Sequence, residues 1–191
     1  DEWLAEIKAK EPELRTAKLE RYKKEYELPD YDAQIITGSK HMADIFEETT
    51  AICKKPKKVS NWLMGETLRL LKEHEKEPED IAFSAENLAK LIELVDGGVI
   101  NGNVAKEVFE QIFDRNIDPE KYVEEKGLKT VNDEGALRET IEQIVADNPK
   151  SVEDYHNGKE KAIGFLVGQT MKAMKGKADP GMVNKILKEI L

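Results

Sequence analysis

Between residues 159 and 188 the chain carries seven lysines against two acidic residues, a balance that suits contact with a polyanion. On a helical wheel, at about 100° per residue, Lys161, Lys172 and Lys175 fall on one side of a helix predicted from Lys159 to about Lys175. Ile163, Leu166, Val167, Thr170 and Met174 fall on the other. Gly164 and Gly168 lie on or beside the lysine side. A glycine inside a helix costs ~1 kcal/mol relative to alanine. Two of them on one face imply a compensating gain, because bare main chain lets another surface come close. The last helix repeats the arrangement, with Val183, Ile186, Leu187 and Ile190 inward, Lys185 and Lys188 outward, and Lys177 in the connecting turn. Ammonium groups so placed can follow a sugar–phosphate backbone without reading bases. Phe165, near that face, could stack on a base. Two other readings stay open on the residues alone: the lysines could be ordinary solvated charge, and Gly164 and Gly168 could serve helix–helix packing.

Other candidate chemistry is thinner. Cys53 is the only cysteine, so no internal disulfide is possible, and no nearby histidine completes a nucleophile pair. His41, His74 and His156 are far apart and have no partners at metal-ligand spacing; they read as solvated surface histidines. Asp30 and Asp32 form a carboxylate pair of the kind used in acid–base work, but a turn and a first-turn acid explain them more cheaply. Gly97, Gly98 and Gly102 follow no strand, as a dinucleotide cradle would require, and read as a turn between helices. Lys54-Lys55-Pro56-Lys57-Lys58 resembles a nuclear-import or polyanion patch, yet also fits lysines at one helix end and the next helix start. Trp62 lies in an apolar run and reads as core. With no acid, base, nucleophile or metal set in view, the chain is expected to be non-catalytic.

The elements that must position the basic residues are helices throughout. Apolar residues recur at helical spacing and the alternation expected of strands is nearly absent. Charged helix 13–27 ends at Pro29, and a short helix runs from Asp30 to Thr37. Ser39 caps a helix carrying Met42, Ile45, Phe46, Thr49 and Ile52. A longer helix after Pro56 ends before Pro78. Ser84 opens a helix that stops at Gly97-Gly98, and the next runs from about Asn103 to Arg115. Asp118-Pro119-Glu120 is a strong helix start, and Gly127 ends that helix. Asp133 opens a helix with Leu137, Ile141, Ile144 and Val145. Asn148-Pro149 then leads into a short segment ending at Gly158, and Asp179-Pro180 starts the last helix.

The 191 residues are 39% hydrophobic and 36% charged, with a formal net charge of −9, a composition that suits small amphipathic helical units better than one large core. The acidity is uneven. Residues 1–126 hold 20 Lys/Arg and 29 Asp/Glu, whereas residues 127–191 hold 10 of each. The expected fold is all-α: a larger multi-helix bundle over residues 1–127 and a small tail of three to four helices over 128–191, divided at Leu128 to Asn132. No apolar run approaches the ~20 residues of a membrane span, and no signal peptide is visible. With its single cysteine, the chain is expected in the cytoplasm. It opens Asp1-Glu2-Trp3 without a methionine, as a piece of a longer protein would.

The stretch from Asp154 to Leu187 resembles the C-terminal signature of the GatB family, the B subunits of aspartyl/glutamyl-tRNA amidotransferases. The matching residues are Asp154-Tyr155, Gly158-Lys159, Lys161-Ala162, Gly164-Phe165-Leu166-Val167-Gly168-Gln169, Met171-Lys172-Ala173, Gly176-Lys177-Ala178 before Pro180, and Val183-Asn184. Upstream, Tyr31-Asp32-Ala33, Asn61-Trp62-Leu63 with Gly65-Glu66, Ala105-Lys106-Glu107-Val108-Phe109, Glu125-Lys126-Gly127-Leu128 and Asp133-Glu134-Gly135-Ala136-Leu137 resemble the same family in the same order. The likeness covers about Pro12 to the end. The chain departs from the family at Asp179, where asparagine is usual, and at Gly181, where a basic residue often follows the proline.

The resemblance implies a helical region followed by a YqeY-like tail that holds the body of tRNA(Gln) or tRNA(Asn), near its outer corner. It implies a parent enzyme that converts Glu-tRNA(Gln) or Asp-tRNA(Asn) to the amide, using ATP and magnesium, with the A and C subunits as partners and with activation in a part this chain lacks. No cofactor is expected in the chain itself. The residues expected to meet tRNA are Lys159, Lys161, Gly164, Phe165, Gly168, Lys172, Lys175, Lys177, Lys185 and Lys188. A helical module docking other parts of the enzyme is the alternative.

Overall fold

A computed structural model describes residues 13–131 and 133–191. The opening Asp1-Glu2-Trp3, Pro12 at the start of the family likeness, and Asn132 in the expected boundary segment lie outside the described residues. The described residues are all-α. In chain order the helices are α1 (Arg15–Glu25), α2 (Asp30–Ile36), α3 (Lys40–Cys53), α4 (Pro56–Trp62), α5 (Leu68–Glu73), α6 (Ala85–Asp96), α7 (Gly102–Arg115), α8 (Pro119–Glu125), α9 (Glu134–Asp147), α10 (Pro149–His156), α11 (Lys161–Ala173) and α12 (Pro180–Ile190). The one β-type feature among the described residues is an isolated bridge between Val131 and Ala178.

Helix starts follow side-chain chemistry. The Ser39 hydroxyl accepts the Met42 N–H at 3.2 Å, and Asp118, Asp133 and Asp179 each cap a helix by accepting N–H groups of its first turn. Each such oxygen satisfies a donor that the helix itself cannot. Between α4 and α5, Leu63–Thr67 winds as a π-helix, a feature the apolar spacing of the sequence does not announce. The segment after Asn148-Pro149 is itself helical, as α10.

The chain packs as two compact units. Among the described residues, one comprises those up to Ile92 together with Phe109–Ile117, and the other comprises Glu93–Val108 with those from Asp118 on. The first has an aromatic centre: Tyr22 and Phe46 lie 4.8 Å apart between ring centroids, and Trp62 and Phe83 lie 5.2 Å and 5.5 Å from Phe109. Trp62 is half-buried and packs against the core through Phe109. The second unit holds an apolar cluster of Leu137, Ile141, Leu166, Ala178, Val183, Ile186 and Leu187, drawn from α9, α11, α12 and the turn before α12. All of these but Ala178 lie on the inward stripes that helical periodicity marks.

A polar knot braces the first unit. Glu47 accepts from the Arg21 guanidinium at 2.6 Å and from the buried Tyr22 hydroxyl at 2.9 Å. Burial pushes the Glu47 carboxyl up, but the hydrogen bonds from Arg21 and Tyr22 and the charges of Lys18 and Arg21 outweigh it and leave the group below its usual 4.5. A carboxyl depressed in the folded state stabilises the fold above its unfolded pKa and loses that contribution as pH falls through the folded value. Urea midpoints should therefore fall as pH drops below about 4.5, and Glu47→Gln should remove part of that slope. A pH series of urea melts on the two proteins checks this.

Candidate nucleic-acid interface

Helix α11 presents two different sides. Leu166 and Thr170 are fully buried, and Ile163, Val167, Met171 and Met174 pack partly buried against the apolar cluster. The Thr170 hydroxyl is satisfied by the Leu166 carbonyl at 2.9 Å. Burial of these residues fixes the rotation of the helix. As a result Lys161, Gly164, Phe165, Gly168 and Lys172 are all exposed, along a stripe spaced by three or four residues. Phe165 keeps 48% of its surface in solvent, and a Cβ built on Gly164 or Gly168 would meet nothing within 4 Å. The two glycines therefore serve no packing among the described residues.

The lysines on and near this stripe are differently engaged. Among the described residues Lys161, Lys172, Lys175, Lys177 and Lys188 form no ion pair. Lys159 stands before the first turn of α11 and is held 2.8 Å from Asp154, whose carboxyl it keeps below the ordinary range. Lys185 lies on α12, exposed and 4.0 Å from Glu189; Lys188 is exposed on the same helix. From Lys161 to Lys175 the face spans about 20 Å at ~1.5 Å per residue.

The end of α11 carries a feature that spacing alone does not reveal. The Lys175 N–H bonds Lys172 O at 3.0 Å and the Gly176 N–H bonds Met171 O at 2.8 Å. These are the two bonds of a Schellman cap. Lys175 occupies its left-handed position, with φ +53°, and Gly176 follows at +73°. Glycine normally fills the first of these places, and a side chain there costs roughly 1–2 kcal/mol. A cation near a helix C-terminus returns only about 0.3–1 kcal/mol, so the lysine is a net loss for the fold. Asp179, one of the family departures, puts its Oδ1 2.7 Å from the Met182 N–H as the cap of α12.

The remaining candidates are occupied structurally. Asp30 lies 3.1 Å from Lys23, and Asp32 accepts the Ser60 hydroxyl at 3.1 Å. His41 is partly buried with Nε2 2.8 Å from the Ile81 carbonyl, so it is a packed residue and not a solvated one. In the 54–58 run, Lys57 lies 2.6 Å from Glu27, and Lys55 and Lys58 also have interactions within the chain. Cys53 is buried and free. Among the described residues no group of three or more His, Cys, Asp or Glu could hold a metal ion. Gly97, Gly98 and Gly102 lie at the junction of α6 and α7. No helix among the described residues is long and apolar enough to cross a membrane.

The GatB domain family matches residues 44–191, most of the chain and all of α11 and α12. The chain belongs to this family. The B subunit of the aspartyl/glutamyl-tRNA(Asn/Gln) amidotransferase of Agathobacter rectalis is 66% identical over 191 residues, which is all of this chain and 40% of that protein. The proteins of the same name from Lachnoclostridium phytofermentans and Thermoanaerobacter sp. are 63% and 55% identical over the same share. The chain thus spans about two-fifths of the length of the curated GatB relatives it matches.

Two sets of substitutions test whether this GatB-family face is shaped for something other than stability. Gly164→Ala and Gly168→Ala should each raise stability by ~1 kcal/mol, because the added methyl meets no neighbour and alanine favours the helix. Lys175→Gly should raise it by about 1 kcal/mol by relieving the left-handed lysine. Urea denaturation of the three variants reads both effects.

Proposed function

We propose that this chain is a non-catalytic, tRNA-holding part of the B subunit of the tRNA-dependent amidotransferase. One observation carries the reading: the outward face of α11 sets exposed lysines and an exposed phenylalanine around two helical glycines that the packing of the chain does not require. Phosphates would meet Lys161, Lys172, Lys175 and Lys177, with Lys185 and Lys188 adding charge from α12. Bare main chain at Gly164 and Gly168 would let the sugar–phosphate backbone approach closely, and Phe165 offers a ring on which a base can stack. The whole GatB protein would act on Glu-tRNA(Gln) or Asp-tRNA(Asn), together with the A and C subunits in the cytoplasm. The ATP-dependent activation belongs to the part of GatB outside this chain. The names of the relatives support this assignment, and the unpaired lysines support the role given to this part.

Binding of a tRNA(Gln) or tRNA(Asn) transcript to the chain should weaken linearly in log Kd against log salt, with a slope of about 0.7–0.9 per phosphate contact. Charge reversal of Lys172 and Lys175 together should cost at least about ten-fold in affinity and lower the slope by roughly two contacts. Gly164→Ala and Gly168→Ala should weaken binding while stabilising the fold. Filter binding across a salt series measures all three. An affinity that ignores both salt and the lysine reversals would instead identify this face as a docking surface for another protein segment.

A further inference from the structure

The turn between α11 and α12 carries Lys175 and Lys177 on either side of Gly176, and such a turn would be mobile if left to itself. It is pinned at three consecutive carbonyls. The Asn101 side-chain Nδ2 donates to Gly176 O, and also to Ala178 O at 3.1 Å. The Val131 N–H donates to Lys177 O at 2.9 Å. Asn101 is itself held, because its Oδ1 accepts the Val104 N–H at 2.9 Å as the cap of α7. Val131 belongs to a segment fastened by the Thr130 N–H to Val99 O at 2.8 Å. The residues just before α7 and those after α8 thus form a seat for the turn. With its three carbonyls bound and Ala178 fully buried, the turn has its main chain fixed, and Lys177 remains partly exposed.

We infer that Asn101 is a positioning residue for the RNA contact of the Lys175–Lys177 turn: its amide sets the main chain in folding, so that binding does not have to order it. The inference rests on the tRNA-holding reading above. A flexible segment that must be ordered in the complex costs affinity that a pre-set one does not. Freeing the residues around Lys177 corresponds to about a ten-fold loss in affinity. A second consequence separates positioning from mere stability. The salt slope counts the phosphate contacts in the complex, and loss of folded protein lowers the amount bound without altering that count.

Two replacements dissect the amide. Asn101→Asp keeps an oxygen to cap α7 and removes the donor to both carbonyls. Asn101→Ser keeps a capping oxygen and, without adding charge, leaves a single shorter hydroxyl hydrogen that cannot serve both carbonyls as the amide does. Each is compared with Lys177→Ala and with the double variant, using the 191-residue chain, a tRNA(Gln) transcript, a salt series and a thermal melt. The expected result is about ten-fold weaker binding for both Asn101 variants, a slope reduced by about one contact, and no further loss when Lys177→Ala is added. Asn101 variants that keep the parent affinity and slope while Lys177→Ala weakens binding would overturn the positioning role and leave the tRNA reading intact. If Lys177→Ala itself changes neither affinity nor slope, the turn does not touch RNA, and both proposals fail at that site. The slope does not depend on the folded fraction, and affinities are compared at a temperature where the melt shows every variant folded.

Discussion

Burial of Leu166 and Thr170 sets the orientation of α11, and through it the chemical character of the surface. The apolar cluster takes Leu137 and Ile141 from one helix and Val183, Ile186 and Leu187 from another. A helix wedged against two others by one stripe has little freedom to rotate, since turning it would bring Lys161 or Lys172 toward an apolar interior. Burying an unpaired ammonium is far more costly than exposing a methylene. The outward direction of Gly164, Phe165 and Gly168 follows from that constraint without any interaction on the outward side itself.

That outward side is built against local preference. Two glycines sit where alanine would serve the helix better, and a lysine occupies the left-handed residue of a Schellman cap. Departures of this kind are expected where a surface is shaped for a partner and not for the fold. The two open-faced glycines lie on α11 and that lysine in the cap that ends it, although Glu27, Lys54, Glu75 and Asn116 also take left-handed conformations elsewhere in the chain. The acidic character of the chain as a whole therefore says little about this face, because a contact with phosphate depends on charge within a Debye length, about 8 Å at physiological salt.

The helices and their caps were legible because they depend on neighbours in sequence. Ser39, Asp118, Asp133 and Asp179 reach only two or three residues along the chain, and each does what its type and place suggest. The separation of Leu166 and Thr170 from Lys161 and Lys172 follows from helical periodicity in the same way. The π-turn at Leu63–Thr67 was not legible, since one extra residue per turn leaves the apolar pattern nearly unchanged over so short a span. His41 departs from its expected solvated place for a different reason: its partner, the Ile81 carbonyl, is forty residues away.

By itself, the sequence determined the helical class, the two-sided character of α11 and the likeness to the GatB family, because periodicity, capping and local motifs are written in consecutive residues. Tertiary structure alone decided that Gly164 and Gly168 face open space, that Lys159 is tied to Asp154, that Lys175 bears a left-handed backbone, and that Asn101 holds the turn between α11 and α12. Each of these depends on groups brought together by folding, or on a dihedral angle that packing selects. Residue type constrains such features only weakly, and they appear once the chain has closed on itself.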